Sequence, residues 1–438
     1  MTDPGAGPAG ARPLRLAPFR AVRYSTGHAH DLAAVTCPPY DVIGENGVAT
    51  WEAADPFNVV RLILPRAGSG ENRYTHAARD LQAWLTAGVL RRDSEAALYV
   101  YEHATATSIA LGLVGAVSLH DPDEGVVLPH EDVFAAPVAD RTALMAATGA
   151  QLEPILLTYE GDGAASDLVD AARGAPPLVD ATTADGATHR LWRLTDAATH
   201  DAVEADLAGR RALIADGHHR YAAYRALRAQ TDPGRPGAAR GLAMLVDARR
   251  HPLRLSAIHR SVARLTIHDA VDAATRGFRV CRPLRPGADV VTALAEEGRD
   301  GPAYAIGSNE DAWVLLTDPY PQLVDAALPA ERSPTWRRLD ASIALAFLLG
   351  RLWGLADADE RVAYHHEPAG AVERAQRLRG VAVLLNAPRH DDVLAVAACG
   401  ERMPRKSTSF GPKPRTGLLM RLLTDPMPGD RAPGAEPR

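Results

Sequence analysis

The segment Arg211–Gln230, RALIADGHHRYAAYRALRAQ, constrains this chain more than any other. An apolar run, Ala212–Ala215, stops at Asp216-Gly217. Helical spacing begins at once, with Tyr221, Tyr224, Ala226 and Leu227 on one face. A buried strand that turns through glycine into a helix is a building unit of α/β proteins. It also leaves the first N–H groups of the helix without intrahelical partners. The macrodipole adds partial positive charge at that end, so it forms an anion site. Here the first turn carries His218, His219 and Arg220, which oppose the dipole. A bound phosphate would resolve that conflict, and Gly217 would let the ligand come close to the backbone. The plainer alternative makes Asp216 an ordinary N-cap and the basic residues solvated surface. Metal binding through both histidines is disfavoured, because neighbours on a helix point about 100° apart.

Around this unit the pattern alternates. Helical spacing is expected at Tyr74–Ala87, Thr142–Gly149, Ala198–Ala208 and Asp340–Leu352. Strands are expected at Ala97–Tyr101, Ser108–Leu119, Pro154–Tyr159, Leu242–Val246 and Leu255–Arg260. Glu160–Pro177 reads as loop or weak helix, and LPHEDVFAAPVADR, residues 128–141, as loop. The fold class expected is α/β with mixed α+β character. A chain of 438 residues that is 46% hydrophobic exceeds one ordinary core, so more than one domain is expected. The divisions expected are a disordered leader over 1–12, an N-terminal domain over 13–262, a C-terminal α/β domain over 263–424 and a disordered tail over 425–438.

Composition excludes several classes. No run of 18 uncharged apolar residues occurs, which argues against a membrane span, and the leader has no apolar signal-peptide core. Cys37, Cys281 and Cys399 lie far apart and form no CxxC pair, which fits a reducing cytoplasm. Cys37 reads as a small buried hydrophobe. A net charge of −6 and sparse aromatics argue against a nucleic-acid partner.

Three further clusters carry polar chemistry. MPRKSTSFGPKPRTG, residues 403–417, brings Lys406 and Lys413 around Ser407, Thr408 and a Gly-Pro turn. Those side chains suit phosphate oxygens or Mg2+, although the P-loop spacing is absent. LPHEDVFAAPVADR holds His130, Glu131, Asp132, Asp140 and Arg141, and PPYDV adds Asp41 after a rigid turn. A carboxylate in either place could accept a hydroxyl proton or hold Mg2+. In LSAIHRSV, His259 and Arg260 end a strand. Each of these has a bland counterpart as an exposed loop, a surface ion pair or a turn residue.

Taken in order, PPYDV, LPHE, the Asp140-Arg141 pair, LEPILL, ADGHHRYAA, IHR and MPRKSTSFGPK resemble the prokaryotic domain-of-unknown-function family numbered 1015 over roughly residues 14–422. Some of its members are regarded as SerK-like kinases of free L-serine. The DGHHR segment is also similar to the phosphate-binding box of the ParB/sulfiredoxin superfamily. The resemblance implies a ParB/sulfiredoxin-like nucleotide-binding core followed by a C-terminal α/β domain. It implies ATP as co-substrate with Mg2+, and a small-molecule substrate. Gly217, His218, His219 and Arg220 would then bind the phosphates together with Asp216, Lys406, Ser407, Thr408 and Lys413. Glu131, with Asp41 second, would be base or Mg2+ ligand, and Arg141, His259 or Arg260 would meet the substrate. After His130-Glu131 this chain has DVFAAPVA where family members commonly carry a basic, threonine-containing stretch. Rival expectations are a ParB-like nucleotide switch without turnover, a metal hydrolase built on His218, Glu131 and Asp41, and a degenerate member without activity.

Overall fold

The computed structural model describes residue 10 and residues 12–25, 31–44, 47–66, 70–231, 236–309, 312–356 and 359–425. They form two compact units, one comprising residues up to Arg254 together with those from Gly411 onward, the other Leu255–Phe410. The expected boundary at 262/263 therefore lies eight residues too late, and residues 411–424 belong with the first unit rather than the second. The physical reason is strand pairing. Met420–Leu422 inserts between Ala21–Tyr24 and Ala150–Gln151 in a four-stranded sheet of the first unit. The expected leader and tail lie largely outside the described residues.

The first unit is mixed α/β around a nine-stranded sheet. Its order is Val127–Leu128, Ala212–Asp216, Ile155–Tyr159, Arg240–Asp247, Ile109–Ser118, Leu98–Ala104, Thr188–Leu194 and Val179–Thr182, with Leu16–Ala17 paired to Ile109–Ser118 off this path. Two of its pairings are parallel, Ala212–Asp216 with Val127–Leu128 and Arg240–Asp247 with Ile155–Tyr159. The central strands are buried on both faces, so they read as continuous apolar runs rather than alternation. Helix His218–Gln230 puts Tyr221, Ala223, Tyr224 and Leu227 into this core. Helix Ala135–Thr148 packs beside it.

That second helix corrects the loop expected over 128–141. Ala135 and Ala136 favour helix, and Pro137 lies in the first turn, where its missing N–H costs nothing. Asp140 and Arg141 are consequently helical residues. Ala164–Ala172 is likewise a helix, started by Gly163, within a stretch that reads as loop or weak helix.

The second unit is built on a six-stranded antiparallel sheet in the order Phe278–Pro283, Ala312–Pro319, Ala303–Asn309, Val381–Leu385, His259–Val262 and Val362–His365. Its core joins Leu294, Trp313, Leu315, Ala371 and Leu384. The helix expected over 340–352 is α-helical only at Asp340–Ile343 and widens to π-helix over Ala344–Leu352. Among the described residues no helix is long and apolar enough to cross a membrane.

Candidate functional site

The strand Ala212–Asp216 runs antiparallel to Ile155–Tyr159, and its register shifts between Ile214 and Asp216. Such a bulge re-aims the side chain that follows it. The chain then turns at Gly217, whose φ of +92° is left-handed, and helix His218–Gln230 starts at the next residue. Gly217 is required twice over. A Cβ there would be strained by φ and would sit 2.8 Å from Ile155 Cγ2 and 3.1 Å from Arg220 Nε. The N-cap being glycine, no side chain caps the helix.

Asp216 is the hub of the site. Its carboxylate accepts from the Arg220 guanidinium one turn on, and it pairs with the Lys413 ammonium through its other oxygen. Lys413 Nζ also lies 3.3 Å from Asp41 Oδ2. The sequence-distant partners meet because Cys37 and Thr416 exchange backbone hydrogen bonds of 3.3 and 3.0 Å. This bridge lays the PPYDV segment against the Lys413–Thr416 segment. Arg415 clamps it further, donating from Nε to Thr36 Oγ1 at 2.6 Å and from NH2 to Thr36 O at 2.9 Å. Cys37 itself is fully buried, and burial pushes its thiol well up, so it packs as a small hydrophobe.

The charges are unequal in their setting. Burial raises the Asp216 carboxyl and the Asp41 charge adds to it, while Lys413 and Arg220 pull back without cancelling. Asp41 is desolvated as well, but the Arg220 and Lys413 charges outweigh burial and hold it below the usual carboxylate range. Burial opposes the Lys413 ammonium, and the Asp216 and Asp41 charges outweigh that too. The turn thus holds two cations against one deeply buried and one half-exposed carboxylate.

Sequence reasoning assigns Glu153 no role, yet it ties the site together. Buried at the entry to strand Ile155–Tyr159, it accepts from Tyr40 N at 3.0 Å and from Thr416 Oγ1 at 3.3 Å. Arg141 NH1 stands 3.7 Å from its other oxygen. Burial raises its carboxyl, against the Arg220 and Arg141 charges. The available signal was a carboxylate placed between Leu152 and Pro154 just ahead of an all-apolar strand.

Several residues are engaged differently from their expected roles. His218 Nε2 accepts from His130 N at 3.2 Å, and His219 Nε2 accepts from Phe134 N at 3.1 Å. Both imidazoles are thus engaged by the backbone of the segment that leads into helix Ala135–Thr148. Glu131 Oε2 lies 3.8 Å from the other nitrogen of His218. Arg220 donates to Pro154 O at 2.7 Å and to Asp216, and it is only 3% exposed. Arg141 is buried, directing its donors at Asp140, at Ile63 O and toward Glu153, with its guanidinium 4.4 Å from the Tyr40 ring centre.

The remaining candidates lie in the second unit. Lys406 is exposed with φ of +52°, Ser407 Oγ donates to Pro404 O at 2.6 Å, and Thr408 is buried. His259 Nδ1 accepts from Leu385 N at 3.3 Å, and burial lowers its pKa to about 4. Arg260 is buried, with its guanidinium against Ile258 O and 5.0 Å from the Tyr364 ring centre. Among the described residues no group of three or more His, Cys, Asp and Glu is placed to hold a metal ion, so His218, Glu131 and Asp41 form no metal cage.

The model of a family described as "Protein of unknown function (DUF1015)" matches residues 16–342. No curated protein matches the chain. Among solved structures, a free serine kinase in complex with AMP is similar at 14% identity and a TM-score of 0.31, over 65% of this chain and 83% of that one. A mutant form of a free serine kinase in complex with ADP gives 13% and 0.32, over 69% and 88%. SbnI with a C-terminal truncation, from Staphylococcus aureus, gives 13% and 0.35, over 70% and 87%.

Proposed function

The chain belongs to the DUF1015 family, and from that premise we propose that its first unit is an ATP-dependent phosphotransferase acting on a hydroxyl of a small metabolite, with free L-serine as first candidate. The observation that carries the reading is the grouping of Asp41, Lys413, Asp216 and Arg220 at an uncapped strand-to-helix turn. Phosphoryl transfer asks little covalent help of a protein. It needs the phosphates held, their charge offset and the acceptor aligned.

Lys413 is suited to offset phosphate charge, because its ammonium is held charged and remains a quarter exposed. The helix start at Gly217–His219 supplies the oriented N–H dipoles. Arg220 acts behind them, fixing Asp216 and the turn rather than touching the ligand. In the reaction the acceptor oxygen bonds to the γ-phosphorus, the bond to the bridging oxygen breaks, and ADP leaves. The hydroxyl proton passes to a carboxylate. Asp41, ionised and half-exposed beside Lys413, is favourably set for this. Mg2+ brought by ATP usually needs only one or two protein carboxylates besides phosphate oxygens, and Glu131, partly exposed beside His218, suits that role. When bound, Mg2+ would neutralise phosphate charge.

Calorimetric titration of Mg-ATP into the wild type and Lys413→Met tests the site. The variant is expected to bind at least about tenfold more weakly, the value of one charge-assisted contact. Equal affinities would remove Lys413 from the nucleotide site. Binding without turnover would favour the switch-like reading.

A further inference from the structure

The second unit contains a cleft of about 1210 Å3 whose lining residues all fall between Glu297 and Asp392. Five prolines, Pro302, Pro319, Pro321, Pro334 and Pro388, contribute to its wall. Their fixed φ makes that wall stiff, so the cleft is formed before any ligand arrives. Val324, Leu339 and Ile343 add apolar surface.

Four acids of this wall are paired. Glu297 pairs with Arg282, Asp318 with Arg279 at 2.8 Å, Asp325 with Arg337 at 3.0 Å and Asp392 with Arg389 at 3.0 Å. Arg337 is further tied to Leu328 O and Pro329 O at 3.3 and 2.8 Å. Arg299, Asp300 and Arg338 also line the cleft and form no ion pair among the described residues, and Asp340 is the unpaired acid that lies against its apolar part. Its carboxylate has no hydrogen-bond or ion-pair partner among the described residues, although its backbone is anchored by Tyr304 OH at 2.9 Å. Burial, with the Asp392 charge adding to it, pushes its carboxyl up to about 7. Asp340 is partly exposed and opens helix Asp340–Ile343, where the dipole favours an acid, but a partly desolvated carboxylate without a cation still carries a cost.

We propose that this cleft binds a small organic ammonium with an apolar body, its cation paired with Asp340 and its body against the proline wall. The arrangement matches the usual anatomy of a small-molecule pocket, mostly apolar with one charged group fixing orientation. It is independent of the nucleotide reading, since none of its residues lies in the first unit.

The test uses the full chain with 2-phenylethylamine and its neutral analogue 2-phenylethanol, titrated while methyl resonances of Val324 and Ile343 are followed. The ammonium is expected to bind at least about tenfold more tightly than the alcohol, the range of a partly desolvated ion pair, and to shift both methyls. Asp340→Asn is expected to abolish that preference while leaving the alcohol unchanged. Equal binding of the two probes, shifts confined to other methyls, no binding of either, or a preference that survives Asp340→Asn would each overturn the proposal. The comparison of probes on the wild type stands even if the variant folds poorly.

Discussion

Lys413 gives the most revealing perturbation of the first unit. Its ammonium stands 3.3 Å from Asp41 and also contacts Asp216. At an effective dielectric near 20, the 3.3 Å pair attracts by about 5 kcal/mol. Lys413 and Asp41 are 26% and 35% exposed, so screening leaves roughly 1 kcal/mol of that. The Asp216 side is different, since that carboxylate is buried and its burial is already uphill. Removing one partner of a buried pair costs about 3–5 kcal/mol, and the surviving Arg220 contact keeps the loss at the lower end. Lys413→Met is therefore expected to destabilise the first unit by about 3 kcal/mol. In a double-mutant cycle, Lys413→Met and Asp216→Asn should be non-additive by at least about 1 kcal/mol, because either change alone breaks the same pair, while the loss of the Asp216–Arg220 pair is common to the single and double Asp216 variants. With two compact units, a single melting curve mixes events. Hydrogen exchange of the Ala212–Asp216 strand across a urea series reads the right one. Additive losses in the two single variants and the double variant would refute the claim that the two groups are coupled.

Gly217→Ala should cost at least about 2 kcal/mol, through its φ of +92° and the 2.8 Å approach to Ile155 Cγ2, read by hydrogen exchange of the same strand; no loss would refute the strain at this turn. His189 is buried against Tyr101 and Thr183, with a pKa lowered to about 3 by burial first and by the His103 charge second. A depressed pKa means the unfolded chain binds the proton first. Stability is then full above about pH 6.5 and falls as pH drops toward 3, by roughly 2–3 kcal/mol at about pH 4.5. His189→Gln should flatten that acid limb, and an unchanged pH profile would exclude His189 as its source. Glu153→Gln keeps the shape that receives Tyr40 N but loses the charge facing Arg141, and should cost about 1–2 kcal/mol by urea unfolding.

The strand-Gly-helix turn was legible because strand and helix periods change at one residue, and glycine is demanded there by φ. The mixed α/β class followed from the same alternation. The helix starting at Ala135 was hidden by Pro137 and by charged residues that resemble a loop, although Arg141 and Thr142 turn inward. The return of residues 411–424 to the first unit was not legible. It depends on short pairings, Met420–Leu422 with its neighbours and Cys37 with Thr416, that carry no local period. For the same reason Asp41 and Lys413 could be noted separately but not as partners. Ser407, Thr408, His259 and Arg260 offered the right chemistry by type, and burial inside the second unit is a tertiary fact that residue type does not encode.

Phosphorus NMR on the purified chain with Mg-ATP and L-serine tests the central claim most directly. The account predicts an O-phosphoserine resonance growing with ADP, and about 10²-fold slower growth in Asp41→Asn, the scale for losing a general base. ATP that stays intact with L-serine, and with a panel of other hydroxyl-bearing metabolites, would contradict it.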